Sequence, residues 1–323
     1  MENIPVTKTF HHTTYPAIDP TSPANSAAGK TVAVTGGAGG IGYAIARGFC
    51  KAGADTVILL ARRQHVLSEA AAKLHAEFGT TVWTYTVDIR DAASTSATFA
   101  SIRKRLSEDS DEDEDVDVLV VSAATLHQGE NVIEYEPEIV RDSFETNTIG
   151  NINVVRAFLT PEVPAVPKTP FLSGITFGKK KDIAGVKAPG RQKVILEVSS
   201  ASTHILFPEQ SLYSASKLAS THIFRFLQTE IDKLPGSPVR IHSFHPGAIR
   251  TPGLADVTGE ADMNSFEWDD PSLPEGFAVW LSTPAAAFLK GRLVYANWDV
   301  EELIAIKKKF EEDPEYLTIT LKY

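Results

Sequence analysis

The chain has 323 residues, 43% of them hydrophobic, which suits one large domain or two small ones with a real core. A formal net charge of −10 argues against nucleic acid or anionic lipid as a partner. No window approaches the roughly 18 consecutive apolar residues of a membrane span, and the single cysteine, Cys50, excludes an intrachain disulfide and a cysteine-rich metal site.

Residues 1–28 are rich in Pro, Thr and Ser and lack a clean period, so they read as an irregular N-terminal arm. They contain no signal-peptide apolar core, and a soluble cytoplasmic protein is the expectation. His11 and His12 read as polar arm residues, because no carboxylate or thiol stands at ligand spacing from them; no metal is expected.

From residue 29 the pattern changes. Thr31–Thr35 reads as a short buried strand, and Ile41, Ala44, Ile45 and Phe49 follow at helical spacing. Cys50 falls late in that helix and reads as a buried thiol. A second strand is expected at 56–61, a helix over Leu67–Phe78, a third strand at 81–89 and a helix over Ala92–Leu106. The acidic run "EDSDEDEDVD", 108–117, lacks the glycine and terminal glutamate of a calcium loop and reads as a solvated loop.

A fourth strand follows at 117–124 and a long helix over Asp142–Phe158. Residues 160–190 break the rhythm with several prolines and read as an excursion. Its Phe171, Leu172 and Ile175 either cover the sheet or touch a neighbouring subunit. Then come a fifth strand at 193–200, a helix over Tyr213–Leu234, a sixth strand within 239–249 and a seventh at 291–297. Continuous apolar strands alternating with helices predict an α/β fold, a Rossmann-like doubly wound parallel sheet in a single three-layer αβα domain over 29–300. Residues 252–277 read as a substrate lid and 301–323 as a C-terminal extension.

Two motifs carry chemistry. "TGGAGGIG", 35–42, lies between a strand and a helix, and Gly37, Gly39 and Gly42 satisfy the dinucleotide spacing G-x-G-x-x-G. Glycines allow the tight turn, and the free N–H groups of the helix start suit a pyrophosphate. An NAD site usually holds the ribose 2′-hydroxyl with an acid at the end of the second strand. Ala61 stands there instead, followed by Arg62 and Arg63, whose guanidinium groups suit the 2′-phosphate of NADP(H), unless Arg62 merely faces solvent. Asp88 either accepts a bond from the adenine amine or caps the next segment of chain.

The second motif is "YSASK", 213–217. Four residues apart on a helix, Tyr213 and Lys217 share a face. A neighbouring cation favours the phenolate, so the tyrosine pKa is expected to fall from its ordinary value of roughly 10. Ser200 ends the fifth strand, where ligands sit in such sheets, and can hydrogen-bond a carbonyl or alcohol oxygen. Asn147, in "TNTIG", sits within a helix, and its amide is expected to bridge backbone and water.

Taken together these residues resemble the short-chain dehydrogenase/reductase family, classical type, over about residues 29–298. Thr35, Gly36, Gly40 and Gly42 match its T-G-x-x-x-G-x-G pattern. The resemblance implies Asn147, Ser200, Tyr213 and Lys217 as the catalytic set, with Asn147 holding a water that relays the proton. It assigns Pro246 and Gly247 to the turn after the sixth strand and Thr251 to the cofactor amide. Gly37, Gly39, Ile41, Arg62, Arg63, Asp88, Ile89, Ala123, Ala124 and Ile249 complete the expected cofactor contacts.

One segment departs from the family: its N-N-A-G after the fourth strand reads "VSAA", 121–124, with Ser122 the partial replacement for a lost amide. The ending resembles fungal members, many of which serve secondary metabolism. The implied activity is hydride transfer between NADP(H) and a small-molecule ketone or secondary alcohol, in a homodimer or homotetramer. Met263, Phe266 and Trp268 in the lid point to an apolar or aromatic substrate, or else pack the lid to the body. His204, Leu206, Phe207 and Leu212 flank the Ser–Tyr segment, and His245 reads as structural. Three other readings stay open: an NAD-linked alcohol dehydrogenase, a non-redox cyclase or isomerase, and a cofactor-binding regulatory protein on the same scaffold.

Overall fold

The computed structural model describes residues 6–109, 115–159, 192–234, 236–258 and 267–320. Seven strands form one parallel sheet: β1 (Thr31–Thr35), β2 (Thr56–Ala61), β3 (Thr81–Thr86), β4 (Val118–Val121), β5 (Lys193–Val198), β6 (Val239–His245) and β7 (Leu293–Tyr295). Their order is β3-β2-β1-β4-β5-β6-β7, so the chain reverses its direction of travel between β1 and β4. A cleft opens at the carboxyl ends of strands at such a switch point.

Alternation along each strand explains the three layers. Val32 and Val34 of β1, with Val57 and Leu59 of β2, face α1 (Gly40–Lys51), α2 (Gln64–Phe78) and α8 (Ser272–Ser282). Ala33, Ile58 and Leu60 face the opposite layer, α3 (Ala92–Asp109), α5 (Asn151–Leu159) and α6 (Ser211–Ile231). Strands buried on both faces need no polar alternation, which is why they read as continuous apolar runs. The fold is therefore a doubly wound α/β sheet of Rossmann-like type, and its seven strands sit where the sequence puts them.

Several elements end earlier than expected, each for a local reason. β3 stops at Thr86, and Asp88 Oδ1 then accepts from the Arg90 N–H at 3.0 Å, an Asx turn that ends the ladder. β4 stops at Val121, because Thr35 Oγ1 accepts from the N–H groups of both Ser122 (3.0 Å) and Ala123 (3.1 Å). The tie across "VSAA" thus comes from the Thr35 hydroxyl, not from the Ser122 side chain. β5 ends at Val198, and Ser200 caps the short 3₁₀ turn Ala201–Thr203. The helix expected over Asp142–Phe158 is in fact α4 (Pro137–Phe144), a π turn (Glu145–Gly150) and α5. Asn151 Nδ2 donates to the Asn147 carbonyl at 2.7 Å, so a side chain takes an acceptor that a regular helix gives to its backbone.

The arm is part of the body. It forms 3₁₀ turns at Pro16–Ile18 and Pro23–Asn25, and Ile18 is wholly buried. His11 Nε2 lies 2.9 Å from Asp299 Oδ2, and His12 Nδ1 lies 2.5 Å from Asp269 Oδ1. The carboxylate partners missing from the local sequence come from the far end of the chain.

The end of the acidic run is likewise not solvated. Asp115 and Asp117 are buried; Asp115 pairs with Lys193 and Arg103, and Asp117 accepts from the Thr31 N–H at 2.9 Å. Residues 110–114 and the excursion, with Phe171, Leu172 and Ile175, lie outside the described residues, as do Met263 and Phe266.

Of the expected lid, Pro252–Thr258 is a helix, α7, but α8 belongs to the core, with Leu273 and Phe277 fully buried. Residues beyond 300 form α9 (Val300–Ala305) and α10 (Lys307–Glu312), which bury Leu303 and Phe310. Cys50 is buried, and burial pushes its thiol up to about 11.

Candidate active site

A cleft of about 610 Å³ runs along the carboxyl ends of the strands, within the range of roughly 300–1,000 Å³ of small-molecule sites. One end is the turn between β1 and α1. Gly36 and Gly40 have φ of +68° and +53°, the left-handed region that favours glycine. A Cβ on Gly42 would stand 2.5 Å from the Gly36 carbonyl oxygen, so the first turn of α1 lies directly on the loop. Gly36, Gly39, Gly40, Ile41 and Gly42 line the cleft. Gly37 does not; it faces the core, where its Cβ would meet Leu59 at 2.9 Å, so the T-G-x-x-x-G-x-G register describes the cradle better than Gly37-x-Gly39. Thr35 lies beneath it, fully buried.

The next stretch of wall is β2 and β3. Arg62 and Arg63 are exposed, line the cleft and follow Ala61, with no acid at the strand end. Asp88 and Ile89 line it too. The Asp88 carboxylate is held below the usual range by its hydrogen bonds to Arg90. Arg90 reaches on to Asp142 at 2.8 Å, and Asp142 to His127 at 2.9 Å. Ala123 and Ala124 form the floor.

Tyr213 and Lys217, on the first turns of α6, line the cleft as well, as do Pro246 and Thr251; Thr251 lies beside the glycine turn, where a Cβ on Gly40 would stand 3.4 Å from its Cγ2. The Ser200 hydroxyl lies close enough to the Tyr213 phenol to favour its ionised form, and Ser200 itself stands behind the residues that line the cleft. Ser200 Oγ in turn accepts from the Ser202 N–H (3.2 Å) and hydroxyl (2.9 Å). The ionisation expected for Tyr213 is reversed. Burial pushes the phenol up to about 12; the nearby Ser200 hydroxyl opposes this and Glu197 adds to it. The cost of a phenolate in a dry site sets the direction. Lys217 is buried and donates from Nζ to the Val198 carbonyl at 2.6 Å. Burial draws its ammonium down and Glu197 holds it up.

Asn147 lies behind the cleft, fully buried. Its Oδ1 accepts from the Thr125 N–H at 2.8 Å, and its Nδ2 donates to the Thr125 carbonyl at 2.9 Å and to Ser216 Oγ at 3.0 Å. The amide therefore bridges two elements of protein, the segment after β4 and the middle of "YSASK". Gly247 and Ile249 also stand behind the cleft. Gly247 has φ +94°, and Asp269 Oδ2 accepts from the Ala248 N–H at 2.6 Å.

His245 Nδ1 accepts from the Ala201 N–H at 3.3 Å, which steadies the Ser200 turn, and burial pushes the imidazole down to about 3. His204 Nε2 lies 2.7 Å from the Tyr295 hydroxyl, and burial lowers its pKa as well. The segment after β4 is stitched to the one before α6: Gly129 N–H donates to the Glu209 carbonyl at 3.1 Å and Tyr135 Oη to the same oxygen at 3.2 Å. Val132, Ile133 and Leu206 are exposed on these segments, Phe207 is half-buried and Leu212 is buried.

Sequence reading missed Thr125, His127, Asp269 and Glu197. Only Glu197 left a signal, an acid inside the apolar strand "KVILEV". Among the described residues no cluster of His, Cys, Asp or Glu suits a metal ion, and no helix is long and apolar enough to cross a membrane.

Known proteins match this arrangement. The family model for short chain dehydrogenase matches residues 30–163 and 187–261. A short chain dehydrogenase/reductase of Claviceps purpurea is 34% identical over 322 residues, covering 99% of this chain and 96% of its own. The short chain dehydrogenase/reductase nsrO of Aspergillus novofumigatus is 33% identical, covering 98% and 96%. Among solved structures, L-sorbose reductase from Gluconobacter frateurii, complexed with NADPH and L-sorbose, superposes with a TM-score of 0.65 at 23% identity, over 84% of this chain and 96% of that one. With a glycine turn and the Tyr213–Lys217 pair lining one cleft, and relatives aligned over nearly its whole length, the chain belongs to the short-chain dehydrogenase/reductase family.

Proposed function

We propose that the chain is an NADP(H)-dependent ketoreductase that interconverts a ketone and a secondary alcohol. The observation that carries this reading is the Tyr213 and Lys217 pair on α6, lining one cleft with the Gly36–Gly42 turn and Arg62, with Ser200 beside it at the end of β5. The site residues fit the nucleotide. The glycine turn leaves no room for side chains between loop and helix, α1 begins there, and Arg62 and Arg63 are available to a 2′-phosphate. The structural relative solved with NADPH supports the same choice.

When bound, NADPH supplies the hydride to the carbonyl carbon. Ser200 and Tyr213 hold the carbonyl oxygen between their hydroxyls, and Tyr213 gives it the proton as charge develops there. Donors aimed at that oxygen gain strength as the negative charge grows, so they stabilise the transition state more than the bound ketone. A phenol pushed up to about 12 keeps its proton at physiological pH, which suits reduction. The Lys217 ammonium offsets the charge left on the phenolate. Asn147 acts by position, fixing Thr125 and Ser216 around the site.

The exposed Val132, Ile133 and Leu206 on the segments flanking Tyr213 support an apolar or aromatic substrate. Both relatives named above are fungal, which favours a fungal metabolite. Exposed Ile223 and Phe226 on α6, with Ile149, favour self-association as a homodimer or homotetramer.

The test is titration of the purified protein with NADPH and with NADH, repeated on Arg62→Ala, followed by a ketone screen with Tyr213→Phe as the inactive control. Tighter NADPH binding that collapses in Arg62→Ala is the expected result. Equal affinities overturn the NADP(H) assignment, and a fully active Tyr213→Phe overturns the chemistry.

A further inference from the structure

The N-terminal arm reaches the cleft through one carboxylate. Glu302 accepts from the N–H groups of Lys8 (2.5 Å) and Thr9 (3.2 Å). Phe10 forms a β-bridge with Trp298, and His11 exchanges two hydrogen bonds with Asn297, at 2.7 and 2.9 Å. The arm then passes to the start of α8. The His12 carbonyl accepts from the Asp270 N–H at 2.8 Å, and the Thr14 N–H donates to Ser272 Oγ at 3.2 Å. Residues 8–14 thus strap the segment after β7 to the segment before α8.

Asp269 stands between this strap and the turn after β6. Its Oδ1 lies 2.5 Å from His12 Nδ1. A carboxylate only accepts, so Nδ1 carries the hydrogen. Oδ2 accepts from the Ala248 N–H at 2.6 Å, and the Asp269 N–H donates to the Ala248 carbonyl at 2.8 Å. Both backbone polar groups of Ala248 are therefore held by one residue. Gly247, at φ +94°, permits the approach, since a Cβ there would stand 2.6 Å from Oδ2.

The turn held in this way is a wall of the cleft. Pro246 and Thr251 line it, and Thr251 abuts the glycine turn, with its Cγ2 3.4 Å from where a Cβ on Gly40 would lie. The Thr251 carbonyl also accepts from the N–H groups of Leu254 (3.1 Å) and Ala255 (3.0 Å), so the start of α7 hangs from the same turn. The His12 side chain is 61% exposed and that of Asp269 only 6%. His12 therefore gives little by burial; what it supplies is a directed, charge-assisted bond to a buried oxygen.

We propose that His12 is a positioning residue for nucleotide binding: by holding Asp269 Oδ1 it fixes the turn 246–251 against the glycine turn, so the arm forms part of the site's support. The inference rests on the NADP(H) reading for its effect on affinity, though not for its effect on the turn. Without His12, Asp269 is free to swing and Ala248 loses a fixed acceptor.

The experiment compares the native full-length chain with His12→Ala and His12→Asn, whose amide nitrogen replaces Nδ1 as a donor. Two quantities are read, NADPH affinity by fluorescence titration and amide hydrogen exchange of residues 246–251 by mass spectrometry. His12→Ala is expected to weaken NADPH binding about three- to tenfold, the range of one lost hydrogen bond, and to speed exchange of the turn. His12→Asn is expected to stay within about twofold of native in both. Because His12 acts through Asp269, His12→Ala is expected to add nothing to either reading in an Asp269→Ala background. Unchanged affinity in His12→Ala, no recovery in His12→Asn, or an undiminished effect in the Asp269→Ala background overturns the proposal. A native protein that binds neither NADPH nor NADH overturns the NADP(H) reading instead, while hydrogen exchange still decides whether His12 holds the turn.

Discussion

The Asn147 carboxamide brackets the backbone of a single residue, Thr125: Oδ1 takes the Thr125 N–H at 2.8 Å and Nδ2 gives to the Thr125 carbonyl at 2.9 Å. The same Nδ2 reaches Ser216 Oγ, so one buried side chain joins the segment after β4 to α6. Asn147→Leu takes this partner from the Thr125 N–H and carbonyl, while Ser216 Oγ keeps its bond to the Tyr213 carbonyl. Each unsatisfied buried group costs about 1–3 kcal/mol, so a loss of about 2–4 kcal/mol is expected in urea unfolding. Carbonyl reduction is expected to fall with it, because Tyr213 and Ser216 share the first turns of α6.

The glycine turn predicts a contrast between neighbours. A Cβ at position 42 meets the Gly36 carbonyl oxygen at 2.5 Å, whereas one at position 39 meets nothing within 4 Å. Gly42→Ala is expected to lose about 1–3 kcal/mol of stability and to weaken NADPH binding by tenfold or more. Gly39→Ala is expected to unfold within about 0.5 kcal/mol of the native protein. Thermal melts and a fluorescence titration measure both.

Asp269 joins the arm to the turn after β6. Its Oδ1 meets His12 and its Oδ2 takes the Ala248 N–H, while a Cβ on Gly247 would stand 2.6 Å from Oδ2. Gly247→Ala, at φ +94°, is expected to cost about 1–3 kcal/mol. Asp269→Ala frees the space, so the double variant is expected to be less destabilised than the sum of the two, by about 0.5 kcal/mol or more in a double-mutant cycle.

Two core histidines set the acid limit. Burial pushes His242 and His245 from an ordinary 6.5 down to about 3, so each enters the fold neutral. The folded value lies below the unfolded one. Their contribution is therefore complete above pH 6.5 and is lost as pH falls toward 3. Each group is expected to remove about 2 kcal/mol between roughly pH 7 and 5. His242→Leu is expected to flatten the stability profile by that amount, read from urea unfolding at both pH values.

The seven strands and the two motifs were legible because they depend on short segments. Apolar runs such as "TVILLA" read as strands wherever they fold, and Tyr213 and Lys217 share a helix face by spacing alone. Boundaries were less legible. β4 ends where the Thr35 hydroxyl, from another strand, takes its next N–H groups. The π turn follows from Asn147 and Asn151 finding partners in the segment after β4 and on their own helix.

Local sequence was enough to set the sheet, the glycine cradle and the Ser200–Tyr213–Lys217 grouping, since periodicity and short spacing are properties of a nearby stretch of chain. The charges were left to tertiary packing. The His12–Asp269 contact spans 257 residues, and Glu197 comes to face α6 across β5. Tyr213 rises rather than falls because desolvation depends on how much protein packs around a group, and that packing is assembled from distant segments.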